Sequence, residues 1–207
     1  MISTPTLDQF RAYQVAYDFF NRELFGSELM PCLLNFRGKH KRNMGLFCSN
    51  RWVRVDGSTT HEIALNPDVL DRPLIETFST LVHEMVHQWQ QDFGHPPRGG
   101  YHDKEWGARM LAVGLVPSNT GEPGGKQTGQ QMTHYIDPAG LFQQALDRMP
   151  PDVRLPWLSG SLSAAPKPPS KNKMKMKYVC SCGQQVWGKA ELAVICGECG
   201  ETFVANG

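Results

Sequence analysis

Two histidines and a glutamate lie close together in the segment His83-Glu84-Met85-Val86-His87. Residues four apart share one face of a helix, so His83 and His87 could bind a single metal ion. Neutral imidazoles suit zinc and leave a coordination position open for water. Zinc lowers the pKa of bound water to about 7, and a nearby carboxylate can take its proton. The segment therefore predicts a zinc-dependent peptidase with Glu84 as general base.

The residues around this segment divide the predicted helix into two faces. At about 100° per residue, Glu76, Thr80, Glu84 and Gln91 fall on the same side as the two histidines. The opposite side is apolar and consists of Leu74, Phe78, Leu81, Val82, Met85, Val86, Trp89 and Phe93. We therefore expect the histidines to face a solvated cleft. The alternative is a chance match of three letters on a solvent-facing helix.

A catalytic zinc site needs a third protein ligand, and His95, His102 and Glu105 are the candidates. His95 lies in the Gly/Pro loop directly after the helix, and Glu105 would complete a site of two histidines and one glutamate. We favour His102, which lies where this loop meets the next predicted helix. A helix N-terminus disfavours a protonated imidazole, which keeps His102 neutral. Its alternative role is that of a helix cap or loop residue.

Four cysteines form two close pairs near the end of the sequence, Cys180-x-Cys182 and Cys196-x-x-Cys199. This spacing predicts a zinc ribbon held by four thiolates, although the first pair is one residue shorter than usual. We expect Trp187 either to pack in the ribbon or to stack on an exposed base. Cys32 and Cys48 stand apart and are predicted to be reduced, buried thiols.

The remaining pattern predicts an α+β fold. A capping box at Thr6 and Gln9 would start an amphipathic helix that stops at Gly26. Short β-prone runs between Cys32 and Leu65 predict a sheet of three or four strands, taken to be antiparallel. Helices are predicted from Asp71 to about Phe93, from about Asp103 to Val113 and from about Ala139 to Arg148. In the ribbon, strands are predicted at 184–187, 191–195 and 202–205.

The distribution of charge along the chain suggests a binding partner, and the lack of long apolar segments suggests a location in the cell. The 207-residue chain has a net charge of only +1, yet five lysines and no acid lie between Leu158 and Lys177: Lys167, Lys171, Lys173, Lys175 and Lys177. A basic tether fits contact with a polyanion such as DNA, and a solvated linker is the alternative. The sequence shows neither an apolar run of about 18 residues nor a signal peptide, so we expect a cytoplasmic protein.

At this level of detail the sequence resembles the SprT-like zinc metalloprotease family, which is related to the DNA–protein crosslink protease Spartan. The resemblance rests on Leu65-Asn-Pro67, on Thr80-Leu-Val-His-Glu-Met-Val-His87 and on Tyr101-His-Asp-Lys-Glu-Trp106. It implies a small zincin-like core in which His83, His87 and His102 are the zinc ligands and Glu84 is the catalytic carboxylate. It also implies that the substrates are proteins bound or crosslinked to single-stranded or damaged DNA, as in DNA repair.

We therefore expect four segments: a SprT-like metallopeptidase core at 1–116, an irregular extension at 117–158, a basic linker at 159–177 and a zinc ribbon at 178–207. Within the extension, Met132-Thr-His-Tyr135 could reach the site and polarise a substrate carbonyl, while packing is the alternative role of Tyr135. The competing functional hypothesis is a non-catalytic nucleic-acid or protein-binding module in which both zinc ions are structural.

Overall fold

The computed structural model describes residues 4–38, 43–159 and 176–206, which form four α-helices and three small β-sheets. Two compact units divide the chain, Met1–Gly160 and Ser161–Gly207, and each is described by itself. The predicted mixed α and β fold with a separate C-terminal β module is thus confirmed. The finer boundaries at 116, 158 and 177 stay predictions. Within the described residues, no helix combines the length and apolar composition that crossing a membrane requires.

Helix α1 (Pro5–Phe25) begins differently from the prediction and ends as predicted. The capping box at Thr6 and Gln9 is wrong, because Thr4 is the N-cap and its amide donates to Asp8 Oδ2 at 3.2 Å. The Gln9 side chain instead bonds both the carbonyl and the amide of Trp157, at 3.0 and 2.9 Å. Gly26 ends the helix in the left-handed conformation, with φ of 63°.

The first sheet contains β1 (Leu33–Phe36), β2 (Gly45–Val53) and β3 (Thr59–Leu65) in the order β1-β3-β2. The expectation of an antiparallel sheet is wrong for one pair, because β1 runs parallel to β3. The chain reverses once into β2 and again into β3, so β3 regains the direction of β1. Strand β2 has a register shift between Cys48 and Trp52 where it pairs with β3.

Helix α2 (Leu74–Phe93) is buried on more sides than the two-face pattern predicted. Thr80 and Glu84, both assigned to the solvated face, are buried, while His83 and His87 are half-buried. Sheet β1-β3-β2 and helix α3 (Lys104–Ala112) contact the face of α2 that carries the histidines. The site therefore lies largely inside the fold, because tertiary contacts cover side chains that periodicity alone places outside.

The segment predicted to be irregular contains a two-stranded sheet. Strand β4 (Leu115–Ser118) pairs antiparallel with β5 (Thr133–Ile136), and helix α4 (Leu141–Asp147) follows. Four-residue strands rich in Pro, Ser and Thr carry too little alternation to be predicted. The α4 side chain Phe142 is fully buried and stacks on Phe20 of α1, with ring centroids 5.6 Å apart. The extension is thus part of the main core.

The C-terminal unit forms a sheet of β6 (Met176–Val179), β7 (Gln185–Gly188) and β8 (Val204–Asn206), in the order β7-β6-β8. The predicted strand at 191–195 is wrong, since only an isolated bridge joins Ile195 to Thr202. Strand β6 was not predicted, because it lies at the end of the lysine-rich segment. The core of this unit is small and comprises Tyr178, Cys180, Cys196 and Phe203.

We predict that Phe142→Ala destabilises the protein by about 3–5 kcal/mol, because it leaves a cavity against Phe20. The neighbouring change Leu141→Ala is the matched control. Leu141 is 48% exposed, so its truncation should change the free energy of unfolding by no more than about 0.5 kcal/mol. Urea unfolding followed by circular dichroism measures both. Equal, small effects would show that the extension does not belong to the cooperative core.

Candidate metal centres

Three histidines, two from one helix and one from a later loop, lie close together. His83 and His87 lie one turn apart on α2, and His102 lies just before α3. One ligand nitrogen from each lies within 4.8 Å of the others. Nε2 of His87 and Nε2 of His102 are 3.1 Å apart. The structure thus places the histidine favoured as third ligand beside the pair from the helix.

The protein keeps these imidazoles in the neutral state that metal binding requires. Burial lowers the pKa of His87 to about 3, with a further contribution from His102. Burial also lowers the pKa of His83 well below the usual value for histidine. It lowers the pKa of His102 as well. Three neutral imidazoles with two nitrogens facing each other at hydrogen-bond distance offer lone pairs to a common point. This donor set is compatible with zinc.

His102 is held in place by contacts on both sides. Its amide donates to Gly129 O at 2.8 Å, and Gly129 N donates to His102 O at 3.0 Å. Its ring Nδ1 lies 3.2 Å from the same Gly129 carbonyl, which leaves Nε2 for a metal. The next residue, Asp103, caps α3 through Trp106 N at 3.0 Å and accepts a hydrogen bond from Gln90 of α2 at 2.9 Å.

The other two candidates for the third ligand lie outside this cluster. The His95 side chain is 97% exposed, and its Nδ1 lies 3.4 Å from Glu105 Oε1. Glu105 accepts hydrogen bonds from the His95 amide at 2.7 Å and from Gln90 at 2.9 Å. These contacts lower the pKa of Glu105, with the His95 amide as the largest cause. Glu105 therefore joins the loop to the end of α2.

Trp106 forms a buried wall behind the three histidines. Its ring centroid lies 5.1, 5.4 and 4.4 Å from those of His83, His87 and His102. On β2, Phe47 stacks on His87 with centroids 6.5 Å apart. These rings restrict the imidazoles to one arrangement and exclude water from their sides. The sequence offered Trp106 only as part of a family pattern, because its contact with α2 is long-range.

Glu84 is 7% exposed and lies beside the cluster without belonging to it. Burial raises its pKa to about 8, although a hydrogen bond from the Phe47 backbone opposes the shift. A bound dication nearby would favour the ionised carboxylate. A Cβ on Gly45 would lie only 2.7 Å from Glu84 Oε1 and 2.8 Å from Thr80 Cγ2. Glycine is therefore required here, which the sequence did not reveal.

A fourth histidine reaches the cluster from the extension. Nδ1 of His134, on β5, lies 3.2 Å from Nδ1 of His83. Burial, followed by the charge of Arg72, lowers the pKa of His134 to about 4. The sequence singled out the whole segment 132–135 as one that could reach the site, without distinguishing His134 from Tyr135, which is half-buried. A lone histidine in an irregular segment was the signal that could have identified His134.

The four cysteines of the C-terminal unit also converge. Their sulfurs lie within 4.8 Å of one another, with Cys180 3.3 Å from Cys199 and Cys182 3.6 Å from Cys196. The backbone turns after each pair use Gly183 and Gly200 at φ of 93° and 76°. A backbone hydrogen bond at Cys182 lowers the pKa of Cys180 to about 7. This cluster is compatible with a zinc ribbon.

The isolated cysteines differ from the clustered ones. Cys32 and Cys48 are unpaired thiols as predicted, but both are half-buried rather than buried. Burial raises the pKa of Cys32 to about 12, with hydrogen bonds to Tyr17 and to the backbone opposing the shift. The thiol of Cys32 is therefore protonated at neutral pH, and the residue is unreactive.

The predicted nucleic-acid contacts lie in and near the C-terminal unit. Lys167, Lys171, Lys173 and Lys175 fall outside the described residues. Lys177 is half-buried on β6, next to Trp187 on β7. Trp187 is 59% exposed, so it does not pack in the core of the unit. Its contact with a base stays a prediction.

We predict that Cys196→Ser removes one zinc ion per chain and unfolds the C-terminal unit. A core of four side chains is too small to fold alone, and zinc contributes about 10–16 kcal/mol in comparable modules. Cys48→Ser should retain both zinc ions and is the control. Atomic absorption gives the zinc content, and amide hydrogen exchange at 176–206 reports folding. Unchanged exchange in metal-depleted Cys196→Ser would contradict the prediction.

Comparison with known proteins agrees with this geometry. The model of the SprT-like family matches residues 13–128. A Salmonella typhimurium protein described as "Uncharacterized protein in mucB 3'region" is 41% identical over 63 residues, which are 30% of this chain and 84% of that protein. No solved structure matches. The match spans more than half of the chain, so this protein belongs to the SprT-like family, which is generally linked to metalloprotease activity.

Proposed function

We propose that this protein is a zinc-dependent endopeptidase in which His83, His87 and His102 hold the ion and Glu84 is the general base. The observation that carries the proposal is the convergence of three neutral imidazoles beside a buried carboxylate that is not one of the cluster. Zinc, when bound, polarises the scissile carbonyl and acidifies a water molecule.

Glu84 performs the proton transfers of the proposed reaction. Its carboxylate takes a proton from the attacking water and delivers it to the amine nitrogen as the peptide bond breaks. The Phe47 amide orients the carboxylate by donating to it, and Gly45 leaves room for it. Because the group is buried, each transfer occurs in a water-poor environment where electrostatic interactions are strong.

The alternative is a binding module in which the histidine cluster only stabilises the fold. Structural zinc sites are closed by four protein ligands. Among the described residues the histidine cluster has three, with a carboxylate adjacent, whereas the cysteine cluster has four. This contrast favours a catalytic role for the first site and a structural role for the second.

The proposed substrates are proteins bound or crosslinked to DNA, by analogy with the relatives of the family. A basic stretch of the core supports a polyanionic partner, in addition to the lysine-rich linker. Between Glu28 and Asp56 the sequence has six basic residues and no acidic one: Arg37, Lys39, Lys41, Arg42, Arg51 and Arg54. Lys39, Lys41 and Arg42 lie outside the described residues, and the other three are exposed. Lysines and arginines close together in a chain attract phosphates.

The outer face of the first sheet presents an aromatic ring among these cations. The buried carboxylate of Glu62 accepts a hydrogen bond from Trp52 Nε1 at 2.7 Å and lies 3.3 Å from Arg37 and 3.9 Å from Arg51. The Arg51 guanidinium lies 5.9 Å from the Trp52 ring centroid. Trp52 is 41% exposed. An exposed ring beside an arginine suits stacking on an unpaired base.

We predict that Glu84→Gln retains zinc but loses at least about 100-fold in the rate of protein cleavage, because no carboxylate accepts the proton. Glu76→Gln, two turns earlier on the same helix, should cleave at the wild-type rate. The measurement is hydrolysis of a DNA-binding protein by preparations with equal zinc content. Full activity of zinc-loaded Glu84→Gln would remove the catalytic assignment.

We predict that single-stranded DNA increases this cleavage and that Trp52→Ala weakens DNA binding by about 5- to 100-fold, the range expected for losing one stacked base. Trp157→Ala removes another exposed ring and should bind normally. Fluorescence anisotropy over a salt series measures the affinity. Cleavage that is indifferent to DNA would keep the peptidase and direct the search for partners to proteins.

A further inference from the structure

We propose that His134 is a positioning residue of the histidine cluster: it accepts a hydrogen bond from Nδ1–H of His83 and so directs Nε2 of His83 toward the metal. The inference rests on the proposed metal site and concerns a residue beyond the segment 13–128 that the family model matches.

The contact between the two rings determines which nitrogen of His83 is available. Their Nδ1 atoms are 3.2 Å apart, which is within hydrogen-bond distance, and a hydrogen bond between them needs a proton on one nitrogen and a lone pair on the other. If His83 ligates through Nε2, its proton lies on Nδ1 and His134 is the acceptor. A fixed tautomer and ring orientation are what outer partners of ligating histidines supply.

The same segment also supports His102. The Gly129 carbonyl lies 3.2 Å from Nδ1 of His102, and its nitrogen and oxygen bond the His102 backbone. Two of the three cluster histidines therefore have their Nδ1 atoms engaged by residues 129–134. In both cases Nε2 is the nitrogen left for the metal. The extension thus completes the site that the SprT-like segment begins.

The fold fixes His134 where this role requires it. Strand β5 places His134 opposite Pro117 of β4, and β4 follows directly from the end of α3, which His102 precedes. The group of three whose ligand atoms lie within 4.8 Å of one another does not include His134. His134 therefore acts through His83 and is not assigned as a ligand.

Two substitutions separate the hydrogen bond from simple packing. His134→Asn can place an amide oxygen where Nδ1 lies, so it keeps the acceptor but loses most of the ring. His134→Phe keeps the ring and loses the acceptor. We expect His134→Phe to bind zinc at the histidine site about 10- to 100-fold more weakly than wild type. We expect His134→Asn to restore most of the affinity, which a role in packing alone would not allow.

The measurement is zinc affinity by chelator competition, with cobalt substitution to distinguish the two sites, since only the cysteine site gives thiolate-to-cobalt charge-transfer bands. Nitrogen-15 NMR of the zinc-loaded protein should show a protonated Nδ1 of His83 that exchanges slowly with water in wild type and in His134→Asn, and rapidly in His134→Phe. His95→Phe is the control, because His95 is an exposed histidine of the neighbouring loop.

The outcomes separate this inference from the proposed function. Wild-type protein that binds metal at the histidines, with His134→Phe unchanged in affinity and in the His83 proton, would overturn the positioning role alone. A zinc affinity of His134→Asn as low as that of His134→Phe would also overturn the positioning role alone. Wild-type protein that binds metal only at the cysteines would overturn both the proposed function and this inference.

Discussion

The structure depends on placing polar, titratable side chains inside a hydrophobic fold without leaving them charged. Helix α2 carries His83, Glu84 and His87 through the interior between a sheet and α3. Burying an isolated charge costs many kcal/mol, so each group shifts its pKa toward the neutral form. The depressed pKa values of the histidines and the raised pKa of Glu84 follow from this one constraint. Neutral imidazoles are also what a metal needs.

The surroundings of α2 are organised by the same requirement. Trp106 packs against all three imidazoles, and Phe47 both stacks on His87 and donates its amide to Glu84. Gly45 of the edge strand β2 has no side chain, and this allows the strand to lie close to the Glu84 carboxylate. Elements that look merely structural therefore determine the geometry and the dielectric environment of the site.

In the C-terminal unit the constraint is the small size of the hydrophobic core. Its four core side chains cannot offset the conformational entropy of ordering about 30 residues. Two of those four, Cys180 and Cys196, also belong to the sulfur cluster. Core and candidate metal site thus share two residues in this unit, whereas the larger unit has a core of aromatic and aliphatic side chains that is distinct from its histidine cluster.

Local pattern in the sequence determined the helical pair at His83 and His87, the cysteine pairs, the approximate bounds of the helices and the mixed α and β class. These depend on residues a few positions apart, whose periodicity and spacing are visible in one dimension. Tertiary structure decided the rest: the parallel pairing of β1 with β3, the choice of His102 over His95, and the contact between His134 and His83. Each of these joins residues at least 15 positions apart in the chain, and only the packed fold determines which distant groups meet.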